Sequence, residues 1–142
     1  MAENLPVKLY EQIPHTADLA LKVYGPDLKG LFENAAFGMF DIILEKEGPV
    51  SGKKVKIEVS APDEGTLLID WLNELLYVYR ETRSSLGGFS VNSVTSTWVS
   101  GTAFTGDKGE TGEKKEIKAA TYHDVKIRPS GDGLETIIIF DV

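Results

Sequence analysis

Three short stretches of this 142-residue chain gather side chains able to do chemistry. They are His15-Thr16-Ala17-Asp18, the run Lys118 to Asp124 with His123 near its end, and the final pair Asp141-Val142. The last is physically the most unusual. An apolar segment ends in a carboxylate side chain, and the terminal α-carboxylate of Val142 follows one residue later. Two negative groups so close repel each other, and partial burial raises that cost. Water, a lysine or arginine, helix N-terminal amides or a cation has to offset it. If Asp18 comes from a neighbouring strand edge, three carboxyl groups meet. All-oxygen ligation of that kind suits a hard divalent ion, Ca2+ or Mg2+, with Mn2+ a further candidate. Plainer uses stay open for the same residues. Aspartates at strand ends are commonly solvated or cap turns. His15 and His123 are the raw material of a two-histidine site, but histidines near turns also serve as hydrogen-bonded structure. Asp70, on a helix flank, reads as surface.

Several kinds of chemistry are excluded by what is missing. The chain has no cysteine, so there is no disulfide framework, zinc–thiolate site or cysteine nucleophile. No Gly-x-x-x-x-Gly-Lys-Ser/Thr loop, Gly-x-Gly-x-x-Gly turn or His-Glu-x-x-His helix occurs, and no Gly-x-Ser-x-Gly elbow. The Lys-x-Asp-Gly pattern of covalent nucleotidyl transfer is absent too. These gaps argue against a free-standing ligase, kinase or hydrolase.

The formal net charge of −7 argues against a nucleic-acid binder, which needs lysines and arginines on phosphates. Lys53-Lys54-Val55-Lys56 is the densest basic stretch, and Glu58 follows at once. Lysines of this kind protect a strand edge more readily than they track RNA. No direct nucleic-acid binding is therefore expected. The N-terminus lacks the pattern of a signal peptide. The run Ile137 to Phe140 is far too short to span a bilayer. No membrane association is expected, and the expected location is cytoplasmic.

The elements that must position these groups follow from hydrophobic period. Leu19 to Tyr24 alternates as a strand, Gly25-Pro26 breaks it, and Asp27 is suited to cap a helix. Leu28, Leu31, Phe32, Ala35, Ala36, Met39, Phe40 and Ile43 then recur at helical spacing, with Gly48-Pro49 as the stop. Lys53 to Ser60 alternates again. A second helix is predicted over about Asp63 to Glu81, its buried side lined by Leu68, Trp71, Leu72, Leu75, Leu76 and Tyr79. Asp70, Asn73 and Glu74 fall elsewhere on its surface.

The remainder reads as β. Phe89 to Phe104 carries a bend near Asn92-Ser93, and Gly106 to Gly112 is a polar loop. Glu116 to Ile127 and Thr136 to Val142 complete the pattern. The unbroken Ile137-Ile138-Ile139-Phe140 predicts a strand covered on both faces and interior to its sheet. Helices early and strands late favour an α+β fold. Two amphipathic helices are expected to pack on an antiparallel or mixed β-sheet, in a single compact domain spanning residues 1–142.

Taken together, five blocks of this chain resemble the archease family. They are His15-Thr16-Ala17-Asp18, Leu31-Phe32-Glu33-Asn34-Ala35-Ala36, Leu67 to Tyr77, Glu116 to His123, and Ile138-Ile139-Phe140-Asp141-Val142. They occur in the family's order and cover nearly the whole chain. Ala120 stands where a larger aliphatic residue is usual, and Phe140 where an aliphatic is usual. The resemblance implies a role in tRNA processing and tRNA splicing, as a protein cofactor of the RNA ligase of the RtcB type. Such a cofactor promotes guanylylation of the ligase, lets it turn over repeatedly and is not itself an enzyme. It implies a divalent metal, calcium above all, on residues matching Asp18, Asp141 and Val142. His15, Lys118 and His123 are candidates to support those ligands or to touch the partner. Two rivals are a general chaperone or modulator of nucleic-acid-processing enzymes, and a metal-dependent hydrolase with His15 or His123 as base.

Overall fold

The computed structural model describes residues 9–14, 18–45, 53–82, 84–108 and 112–142. Strand β1 (Tyr10–Ile13) and strand β2 (Leu19–Gly25) precede helix α1 (Leu28–Ile43). Strand β3 (Lys53–Ser60) leads to helix α2 (Glu64–Thr82), and a hairpin of β4 (Ser84–Val94) and β5 (Trp98–Lys108) follows. Two short strands, β6 (Ala119–Ala120) and β7 (Arg128–Ser130), come before β8 (Gly133–Asp141).

Both helices start where their caps dictate. The Asp27 carboxylate accepts a hydrogen bond from the Gly30 amide at 2.8 Å, and Asp63 does the same for Thr66 at 2.8 Å. Each satisfies an amide that the first helical turn leaves without a partner. The Thr66 amide also holds the Asp63 carboxyl below its ordinary value, because it stabilises the charged form. Helix α1 ends at Ile43, where Leu44 turns into extended backbone. The expected stop at Gly48-Pro49 lies outside the described residues.

The strands form two sheets rather than one, and every pairing is antiparallel. The larger runs β1-β2-β8-β6, with β7 also paired to β8, and the smaller runs β3-β5-β4. The expected α+β architecture, two helices packed on antiparallel β-structure, is the one found; hydrophobic period reports which residues face inward but not how many sheets they face. Each helix touches both sheets: α1 lies against β2 and β4, and α2 against β6 and β3. That placement is why the apolar stripes are so wide. Leu31, Phe32, Ala35, Ala36 and Met39 of α1 are fully buried, as are Leu67, Leu68, Ile69, Trp71, Leu72 and Leu75 of α2.

Two local features refine the β reading. The bend near Asn92-Ser93 is a shift in the β4–β5 register between Val91 and Ser93, where the Glu33 carboxylate of α1 accepts the Val91 amide at 2.8 Å. Strand β8 is interior, as its apolar run predicts, but it is not covered on both faces. Ile138, Ile139 and Phe140 are buried, whereas Ile137 is 40% exposed. Of the expected β segment Glu116 to Ile127, only Ala119–Ala120 forms a strand.

Candidate functional site

The end of β8 is held from both sides. On one side Leu19 of β2 pairs with Phe140. Asp18 directly precedes Leu19 and Asp141 directly follows Phe140, so both aspartates fall at the same end of the β2–β8 pair. On the other side Ala119 of β6 pairs with Asp141, and the Lys118 amide donates to the Asp141 carbonyl at 2.8 Å. Asp18, Asp141 and Val142 are all exposed. Among the described residues, neither aspartate forms an ion pair.

The other candidates sit differently. Lys118 meets Asp141 through its main chain, and no hydrogen bond or ion pair joins its side chain to either aspartate. The His123 ring lines a groove on the outer face of the larger sheet, beside Ile137 and Ile139. It too makes no hydrogen bond to the aspartates. His15 lies outside the described residues. Among those described, no three histidine, aspartate or glutamate side chains converge as a metal-binding group. The candidate set is thus two aspartates and the main-chain oxygen of Val142, oxygen donors throughout. A hard divalent ion is the kind of cation those donors fit.

What steadies the site is a group of α2 side chains that hydrophobic pattern did not single out. Asn73 exchanges two hydrogen bonds with Ala120: its Nδ2 donates to the carbonyl at 3.0 Å, and its Oδ1 accepts the amide at 2.8 Å. Arg80 Nη2 donates to the carbonyls of Ile117 at 2.7 Å and Lys118 at 2.6 Å. The Tyr122 hydroxyl donates to the Asp70 carboxylate, which raises the phenol's pKa because the bond favours the protonated form. Residues 117–122 therefore run antiparallel along the helix, clasped at Arg80, Asn73 and Asp70. Asn73 and Asp70 are not the bare surface that their flanking positions suggested. The available signal was their spacing with Arg80, three polar residues bordering the apolar stripe on one side of α2.

Asn73→Ala is expected to cost about 1–3 kcal/mol, because the buried Ala120 amide would lose its acceptor. Urea unfolding measures the loss, and faster amide exchange at Ala120 locates it. Unchanged exchange there would mean that Arg80 and the Tyr122–Asp70 hydrogen bond hold the clasp without Asn73.

An α+β chain with two helices lodged against two antiparallel sheets, and with acidic residues at the paired ends of its central strand, defines a narrow class. The match to a family described as the Archease protein family (MTH1598/TM1083) covers residues 10–142, and the chain belongs to that family. Among relatives, the protein archease of Methanosarcina acetivorans is 34% identical, over 95% of this chain and 97% of its own length. That of Pyrococcus furiosus is 33% identical over 89% and 93%. The solution structure of Methanobacterium thermoautotrophicum protein 1598 superposes with a TM-score of 0.77 at 28% identity, covering 96% of this chain and all of that one. An archease crystal structure from Thermotoga maritima, described as a possible chaperone, has a TM-score of 0.64 at 20% identity over 100% and 99%. At that identity it speaks to the fold alone. Among the described residues, no helix is long and apolar enough to cross a membrane.

Proposed function

We propose that this chain is a protein cofactor of a tRNA-splicing RNA ligase of the RtcB type, acting in the cytoplasm. It promotes ligase guanylylation and multiple turnover through an acidic, metal-binding tip. Family membership supports the partner, and the β2–β8 register supports the tip. That register is the observation that carries the reading, because it gathers Asp18 and Asp141 at one sheet end next to Val142.

In this reading Asp18, Asp141 and the main-chain oxygen of Val142 hold the ion, Ca2+ in first place, with Mg2+ or Mn2+ sharing the same donors. A divalent ion supplies positive charge against phosphate oxygens during nucleotidyl transfer. The remaining work belongs to the chain. Pairing with β2 and β6 fixes the Asp141 backbone, and the net charge of −7 steers the tip toward a basic, RNA-binding ligase surface.

Asp18→Ala and Asp141→Ala are expected each to lower multiple-turnover ligation by a matched ligase at least about tenfold, the loss of roughly one good charge-assisted contact. Their melting temperatures should stay near that of the parent, since both positions are exposed. Full stimulation by the folded variants would sink the tip's role. The second reading is a general chaperone or modulator of nucleic-acid-processing enzymes; the Thermotoga protein is itself described as a possible chaperone. A pull-down that recovers many unrelated clients with no preference for the ligase would favour it.

A further inference from the structure

On the face of the larger sheet turned away from the helices, β8 leaves a large aliphatic side chain uncovered. Ile137 is 40% exposed although the three residues after it are buried. Together with Ile139 it floors an open groove of about 250 Å³, walled by His123, Lys126 and Arg128. The groove's charges are unequally committed. Lys126 lies 3.8 Å from Asp124, and Glu135 lies 3.7 Å from Lys22 of β2. Arg128 stands opposite Glu135 in the β7–β8 register, yet among the described residues its guanidinium has no ion pair and no hydrogen bond. An always-charged fork of donors is therefore left beside the exposed Ile137 side chain.

The groove also shares its side of the sheet with the acidic end. Residues 137, 139 and 141 alternate onto one face, and four residues at about 3.3 Å each set the two features about 13 Å apart. A partner that reaches the tip along this face passes over the groove.

We propose that the groove docks a segment of the partner ligase in which an aliphatic or aromatic side chain neighbours an aspartate or glutamate. The apolar group rests on Ile137 and Ile139, and the carboxylate pairs with Arg128. This inference rests on the reading above and adds a second point of attachment to it. A carboxylate fits Arg128 through two parallel hydrogen bonds. A polyanion such as RNA fits poorly, because Asp124 and Glu135 line the same groove. An exposed apolar centre with an arginine at its rim is also the composition that protein interfaces favour. Two anchors on one face fix the orientation of the tip, which one anchor cannot do.

The test uses the full chain and a matched ligase. Arg128→Glu and Ile137→Ser are prepared separately, with Asp141→Ala as the contrasting variant. Calorimetry measures affinity for the ligase and, separately, for Ca2+ alone. Both groove variants are expected to bind the ligase at least about tenfold more weakly, about 1.4 kcal/mol or more, with Ca2+ affinity and melting temperature unchanged. Asp141→Ala is expected to lose Ca2+ binding. A photo-crosslinker placed at position 137 should capture a ligase peptide containing an acidic residue. Parental ligase affinity in both groove variants overturns the docking site, and so does a crosslink to RNA in place of protein. The tip reading survives either result if Asp141→Ala still abolishes stimulation. A parental chain that neither binds nor stimulates the ligase overturns both.

Discussion

Replacing Trp71 with alanine is expected to lower the unfolding free energy by about 3–5 kcal/mol. Trp71 is fully buried on α2, the helix that touches both sheets, and its ring lies 6.4 Å from the Phe32 ring of α1. Its Nε1 donates to the Phe32 carbonyl at 3.1 Å. Strand β5 approaches the indole at a glycine: a Cβ built on Gly101 would fall 2.7 Å from Trp71 Cη2. Helix, helix and sheet therefore meet on one fully buried side chain. A cavity that cannot collapse falls at the costly end of the range for large-to-small substitutions. Trp71→Phe keeps much of the volume and should cost less. The measurement is urea unfolding followed by circular dichroism, with the slope unchanged and the midpoint lowered. A loss below about 1 kcal/mol would mean that the site relaxes.

The second large effect concerns calcium and follows from the proposed tip. An ion that binds only the folded chain stabilises it by about 2.7 kcal/mol at a free concentration one hundred times its Kd. The parental chain should gain that amount between EDTA and saturating Ca2+, and the double variant Asp18→Ala, Asp141→Ala should gain nothing. In EDTA the order is expected to reverse. Neighbouring carboxylates with no ion pair among the described residues repel one another, so Asp141→Asn relieves that repulsion and should be as stable as the parent or slightly more so. Stability of the parental chain that does not respond to Ca2+ would remove the metal from the tip.

The helices were legible because their signals are local. Asp27 before a glycine-tolerant first turn, then apolar residues at three- and four-residue steps, specify α1 without reference to the rest of the chain. The larger sheet was legible only in part. The apolar run of β8 gave its interior position. The openness above Ile137 depends on how far the 123–128 stretch reaches across the sheet, and no period records that.

The same limit governs the site. Asp18 and Asp141 could each be placed at a strand end, but that these ends share one edge of the sheet depends on Leu19 pairing with Phe140, far along the chain. Asn73 was misread as surface because its partners are main-chain atoms of Ala120, and any amide or carbonyl would have served its side chain equally well. Family resemblance pointed to the metal candidates, and residue spacing alone left them open.

The central strand of the larger sheet follows every one of its partners in the sequence. β2, β6 and β7 all pair with β8, so that sheet stays open until synthesis has passed residue 141. The β4–β5 hairpin, whose partners adjoin in sequence, can close while the chain is still emerging from the ribosome. Until then β2 waits with Leu19, Leu21 and Val23 uncovered by the strand that will flank them, and the nascent protein carries its greatest risk of mispairing at that edge.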